Sequence, residues 1–370
     1  MLDLSTIISP TLLLNEQKCQ ANLKKLTQQA KKHNIQLAPH FKTHQSAQVS
    51  QWFRDYGVQA ITVTSIKMAR YFAKHGWDDI TIAMPINIRE IEAINSLASQ
   101  IRLTVFVNSM ETARFLHQRV TAPLPFCVEV DTGYHRSGVI SDNTEEIRAI
   151  LATAQDSQLQ FTGFYSHAGH TYEATTHQEV ERVHQETLQQ LNQLKETFRP
   201  AYPDLQLSLG DTPSCSLMDD FTGIDIIRPG NFVYYDLTQH FVGSNSVAEI
   251  AVCLAAPVVS VHPERNEVVT HSGWAHLGKD SLTDKVEKSW YGYVVTLTES
   301  GWSAPIEGAY VAKLSQEHGT LYLPDEYLEK VAVGDLLGIL PVHACATVVM
   351  MGELTTFSGE MIKTMSVQAV

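Results

Sequence analysis

At 370 residues the chain is longer than one ordinary domain, and two cores are expected. A formal net charge of -13 with no block of basic residues argues against nucleic acid and anionic membrane surfaces as partners and leaves a small molecule. Cys19, Cys127, Cys215, Cys253 and Cys345 have no paired spacing, and no apolar run nears about 18 residues. A cytoplasmic chain without structural disulfides, leader or membrane span is therefore expected.

Helical periodicity opens after Asn15, a predicted N-cap, in "NEQKCQANLKKLTQQAKKHN", and the short strand "IQLAP" follows. The alternation then repeats. "QAITVT" precedes "SIKMARYFAKHG", "DITIAM" precedes "NIREIEAINSLASQ", "RLTVFV" precedes "SMETARFLHQ", and "PFCVEV" precedes "NTEEIRAILATAQ". With "LQFTGFYS", "LQLSLG" and "DIIRPG" the strands number eight by about residue 230. This pattern predicts an α/β (β/α)8 barrel of the TIM type, with its chemistry on the loops that follow the strands. From about residue 245, "VAEIAVCLAAPVVSVHP", "NEVVTHSG", "SWYGYVVTLT", "AYVAKLSQEHGTLYL" and "LLGILPVHACATVVMM" read as strands without helices between them. The expected division is a barrel over 13–244 and an all-β domain over 245–370, with 1–12 packing on the latter.

In "LAPHFKTHQS", Lys42 follows the first barrel strand, flanked by His40 and His44. A lysine at the barrel mouth that is partly desolvated has a lowered pKa, and its neutral amine can condense with an aldehyde. "SLGDTPSCS" places Gly210, Thr212 and Ser214 after the seventh strand at the start of a short helix, and "RPGNFVYYD" places Gly230 and Asn231 after the eighth. Barrels commonly bind phosphate at these two strand ends. "VEVDTGYHRSGV" offers Arg136 to a ring nitrogen or an acidic group, or to a structural ion pair. "FYSHAGHTYE" offers Tyr165, His167 and Tyr172 for stacking on a planar ring or hydrogen bonding to it.

Near the C-terminus, "LPVHACAT" reads as strand, which would put His343 and Cys345 on one face where imidazole and thiolate share a metal ion. Two protein ligands leave positions open for water or substrate, and a thiolate favours zinc. "HSGWAHLGKD" adds His271 and His276, which either reach metal or substrate or stand exposed on a strand; His318 in "SQEHG" has no assigned role.

Taken together, "PHFKTH", "DTGYHRSG", "SHAGHTYE", "GDTPS", "RPGNFVYYD", "SQEHG" and "PVHACAT" resemble the D-serine dehydratase and D-threonine aldolase family, pyridoxal phosphate enzymes with the alanine-racemase type of fold. The resemblance implies that Lys42 is the Schiff-base lysine and that Tyr165, Tyr172, Thr212, Gly230 and Asn231 bind the cofactor. It also implies that Arg136 lies near the pyridine nitrogen and that His343 and Cys345 hold zinc; aldolase relatives carry aspartate at the position of Cys345. The implied reaction eliminates water from a D-3-hydroxy amino acid such as D-serine, giving a 2-oxo acid and ammonia, in a homodimer. D-threo-3-hydroxyaspartate dehydration and D-threonine retro-aldol cleavage are the near alternatives. A non-catalytic pyridoxal phosphate-binding protein is the alternative of another class, and the second domain with "HAC" counts against it.

Overall fold

The computed structural model describes residues 2–283 and 289–366. They form two compact units. One comprises Lys24–Lys42 and Ser50–Gly230; the other comprises the described residues of Met1–Leu23, Thr43–Val49 and Asn231–Val370.

The first unit is the barrel. Its eight parallel strands are Gln36–Leu37, Ile61–Val63, Asp79–Pro85, Arg102–Val107, Leu124–Asp131, Leu159–Ser166, Gln206–Leu209 and Ile226–Ile227, hydrogen-bonded in that sequence order around the sheet. The eighth strand returns to the first through Ile226 opposite Gln36 and Ile227 opposite Leu37. Among the described residues the first meets the second through the isolated bridge between His40 and Thr62, and the Thr62 hydroxyl donates to the Ala38 carbonyl at 2.7 Å. There Phe41 N–H donates to the Thr62 carbonyl at 2.8 Å, and Thr62 N–H donates to that of Pro39 at 2.9 Å. The crossover helices start where the sequence places caps: the Ser65, Ser109 and Asn143 side chains accept the N–H groups of Met68, Thr112 and Glu146.

Small hydroxyl side chains line part of the barrel interior, where branched aliphatic residues usually pack. Thr81, Thr104, Thr162 and Ser208 border a cavity of about 120 Å³ together with Cys127, Arg228, and the ion-paired Asp79 and Arg102.

The second unit is built on an antiparallel sheet in which 252–262, 267–271, 318–322, 310–314, 292–298 and 336–341 pair in turn and close on themselves, since 252–262 also pairs with 336–341. Leu254, Val294, Val311, Leu321 and Ile339 lie in the core inside this ring. Thr11–Leu14 extends the sheet, antiparallel to 252–255 and parallel to Glu353–Thr356 through Leu13 and Leu14.

Residues 231–250 pack with the second unit: Asn22 Nδ2 donates to the Glu249 carbonyl at 2.9 Å and Thr238 N–H to that of Val342 at 3.1 Å. Two details differ from the sequence reading. "AYVAKLSQEHGTLYL" is a hairpin, with strands Tyr310–Leu314 and His318–Tyr322. "LLGILPVHACATVVMM" is a strand only to Pro341; Ala344–Met351 is a helix whose N-cap is His343. His343 and Cys345 are thus brought together at a helix start and not by strand alternation. Among the described residues no helix is long and apolar enough to cross a membrane, and all five cysteines are free thiols.

Candidate active site

Lys42 lies in the turn that follows the first barrel strand, and its position is set by its neighbours. Phe41 is fully buried, its ring packed on Phe53, Phe72 and Trp77 at centroid distances of 4.8, 4.9 and 5.2 Å. His40 N–H donates to the Pro229 carbonyl at 2.9 Å, and Lys42 N–H reaches His40 Nδ1 at 3.3 Å. Within the turn Phe41, Thr43 and His44 are buried and Lys42 alone is exposed, which corrects the expectation of a desolvated lysine.

Around Lys42 the barrel unit gathers several of the predicted residues. His40 is held well below the usual histidine range by burial first and then by Lys42, His167, Arg228 and Arg136. His167 is lowered to about 3, chiefly by burial and by Arg136; its Nδ1–H donates to the Gly210 carbonyl, so Nε2 keeps a lone pair. Arg136 is exposed, with its guanidinium 5.4 Å from the Tyr134 ring centroid. Tyr165 is buried against Phe106 at 4.3 Å, and burial raises its hydroxyl pKa. Glu129 is buried as well; burial raises its carboxyl, and Oε1 accepts from Ser137 at 2.8 Å.

The loop after the seventh strand leads into a short helix. Asp211 caps the helix Thr212–Leu217, accepting Ser214 N–H at 2.7 Å and the Thr171 hydroxyl at 3.0 Å. Tyr172 Oη accepts Thr212 N–H at 3.1 Å, which ties two predicted residues together. Gly210 is required by close packing, since a Cβ there would stand 2.9 Å from Arg228 Cβ and 3.0 Å from the Arg228 carbonyl oxygen. Gly230, the last residue of this unit, is buried.

Asn231, His343 and Cys345 belong to the second unit. Asn231 Nδ2 donates to Asp236 Oδ2 at 2.6 Å and lies 3.7 Å from Cys345 Sγ, so this amide serves the thiol. Cys345 Sγ is 3.3 Å from Thr43 Oγ1. Burial works to lower His343, but hydrogen bonds to Asp280 and Cys345, with the charge of Asp236, push it up to about 11. An imidazole and a thiol in contact, the thiol facing an amide and a hydroxyl, form a donor set suited to a borderline-soft cation such as zinc.

Sequence reasoning missed His40 and Arg228 as site residues, and also Asp211, Asp236 and Asp280. Arg228 is buried, with Nη1 3.0 Å from Thr62 Oγ1 and Nε 3.4 Å from Ser208 Oγ; burial lowers its pKa. The signals were present inside the quoted motifs: Asp211 is the N-cap letter of "GDTPS", and Arg228 and Asp236 bound "RPGNFVYYD". The two uncertain histidines converge, His271 ending a strand and His276 lying in the short helix Trp274–Leu277, with both facing Glu317.

Comparison with known proteins agrees with this geometry. The family "Alanine racemase, N-terminal domain" matches residues 14–238, and "Putative serine dehydratase domain" matches 251–357. The chain belongs to the alanine racemase N-terminal domain family, and its fold is of the alanine-racemase type. It is 27% identical to the D-threo-3-hydroxyaspartate dehydratase of Delftia sp. (strain HT23), over 93% of this chain and 92% of that one. The solved structure of that dehydratase superposes with a TM-score of 0.90 at 25% identity, covering 98% of each chain. A cysteine-to-alanine mutant of it, solved in the metal-free form, gives 0.91 at 25% identity with 99% of each chain covered. The D-serine dehydratase of Dictyostelium discoideum is 25% identical over 95% of this chain and 93% of its own.

Proposed function

We propose that the protein is a pyridoxal phosphate- and zinc-dependent lyase that eliminates water from a D-3-hydroxy amino acid, D-serine or D-threo-3-hydroxyaspartate, to give a 2-oxo acid and ammonia. The observation that carries the reading is the contact between His343 and Cys345, with Asn231 and Thr43 at the thiol. The relatives that match over nearly the whole chain are named as dehydratases, and a cysteine-to-alanine mutant of one of them was solved in the metal-free form.

Lys42 offers a primary amine able to condense with an aldehyde and to take a proton at Nζ. Tyr172, Thr212 and the Gly210 loop are suited to a phosphate, while Tyr165, His167 and Arg136 suit a planar heteroaromatic ring. Pyridoxal phosphate, when bound, supplies the electron sink for loss of an α-proton. His167, a neutral imidazole bonded through Nδ1 to the Gly210 carbonyl, would offer Nε2 to it as an acceptor. His343 and Cys345 would hold the zinc, which supplies Lewis acidity for the departure of hydroxide, a poor leaving group near neutral pH.

The five free thiols favour a cytoplasmic enzyme, and the family resemblance favours a homodimer. Purified protein supplied with zinc and pyridoxal phosphate is to be incubated separately with D-serine, D-threonine and D-threo-3-hydroxyaspartate, with and without a chelator. Chelator-sensitive release of 2-oxo acid and ammonia is expected. Glycine with an aldehyde would make it an aldolase instead, and no product from any of the three would leave cofactor binding without this catalysis.

A further inference from the structure

We infer that Asp280 is the positioning residue that prepares His343 for a metal ion, and that the chain takes its metal there and not at the second imidazole cluster of the same unit. The inference rests on the metal reading above.

An imidazole ligates through a nitrogen that has shed its proton, while the other nitrogen keeps one and donates it to an acceptor that fixes the ring. His343 Nδ1 lies 3.3 Å from Asp280 Oδ1. A carboxylate can only accept, so Nδ1 keeps its proton, and Nε2, whose proton a cation would displace, is the nitrogen left to ligate. Asp280 is delivered by a built turn: the helix Trp274–Leu277 ends at Gly278 with φ 80°, where a Cβ would stand 3.3 Å from Asp280 Oδ2. The Thr347 hydroxyl donates to the Leu277 carbonyl at 3.2 Å, tying that short helix to the helix that His343 caps. Carboxylate and imidazole are therefore held by elements bonded to each other.

By residue type, His271, His276 and Glu317 are the richer metal set, with ligand atoms within 4.8 Å of one another. Their proton arrangement is the reverse of the one at His343. Gly273 N–H points at His276 Nδ1 from 3.1 Å, which makes Nδ1 an acceptor and puts the proton of the neutral ring on Nε2. That protonated nitrogen is the one facing Glu317, at 3.6 Å. A cation placed there would have to displace this proton and break the backbone bond that seats the ring, whereas at His343 a cation that displaces the Nε2 proton leaves the Asp280 contact at Nδ1 in place.

The test titrates cobalt(II) alone into chelator-treated full-length protein and follows both stoichiometry and the thiolate-to-cobalt charge-transfer band. Wild type should bind one cobalt per chain and show the band. Asp280→Ala should weaken binding about 10- to 100-fold, the range for loss of an outer-layer partner, yet reach the same band at saturation. Asp280→Asn, which keeps an acceptor oxygen, should recover part of the loss, which a merely structural defect would not do. Glu317→Gln should leave affinity and stoichiometry unchanged. Wild-type affinity in Asp280→Ala would overturn the positioning role, and two cobalt ions per wild-type chain falling to one in Glu317→Gln would overturn the choice of site. A Cys345→Ala protein that binds cobalt as tightly as a wild type lacking the band would instead sink the metal reading itself.

Discussion

Asp236 accepts the backbone N–H of Ala344 at 2.9 Å, across 108 positions of sequence. The same oxygen takes Asn231 Nδ2, and the other takes Gln239 N–H at 2.9 Å. One buried carboxylate thus supports both the helix start that carries Cys345 and the amide that faces its thiol. Asp236→Ala strands these donors in a buried site and should cost about 3 kcal/mol of stability. Urea unfolding followed by circular dichroism measures it, and a loss below about 1 kcal/mol would show that water replaces the carboxylate.

Lys42→Ala should abolish turnover while leaving the fold intact, because the side chain is exposed and its turn is anchored by Phe41. Borohydride treatment of wild type with pyridoxal phosphate should attach the cofactor to the peptide containing Lys42. Attachment to another lysine would move the site.

Tyr172→Phe removes the acceptor for Thr212 N–H at the proposed phosphate loop. A neutral hydrogen bond contributes about 1 kcal/mol, so pyridoxal phosphate affinity should fall roughly 2- to 10-fold. Cofactor titration by absorbance reads this, and unchanged affinity would remove Tyr172 from the cradle.

Acid should destabilise the protein below about pH 6.5. His44 is fully buried, its Nδ1 accepts Ser46 N–H at 3.1 Å, and burial lowers its pKa from 6.5 to about 3. The unfolded chain therefore binds this proton first as pH falls. The stabilisation is complete above 6.5 and is lost progressively toward 3, at up to about 1.4 kcal/mol per pH unit. His40 and His167, lowered in the same direction, add to the slope. Urea midpoints between pH 7.5 and 5 should fall more steeply in wild type than in His44→Gln; parallel lines would assign the slope to other groups.

The barrel was legible because each strand is a short β-branched run followed by a capped amphipathic helix. "RLTVFV" and "LQFTGFYS" coincide with Arg102–Val107 and Leu159–Ser166. The helix Ala344–Met351 was not, because "ACATVVMM" is apolar or small throughout and shows neither a period of two nor one of 3.6. The turn at 315–317 was hidden for a similar reason: "SQE" carries no glycine, asparagine or proline to mark it. In the candidate site, Lys42, Gly210 and Thr212 were visible from their places at strand ends. Asp236 and Asp280 were not, since a carboxylate is read as a partner only once the fold supplies what it holds.

The seam of the barrel has a consequence for how activity would be lost. On one side of the first strand two residue pairs join it to the eighth, but on the other the backbone pairing among the described residues is the single bridge of His40 with Thr62. The Phe41 N–H of that bridge belongs to the turn that carries Lys42. A fluctuation that unzips the seam therefore loosens the turn around Lys42, leaving the buried Phe41 as its main anchor, before any helix or core strand has to melt. Heat inactivation should then run ahead of bulk denaturation, with the barrel losing the placement of the proposed Schiff-base lysine while it still scatters and absorbs like a folded protein.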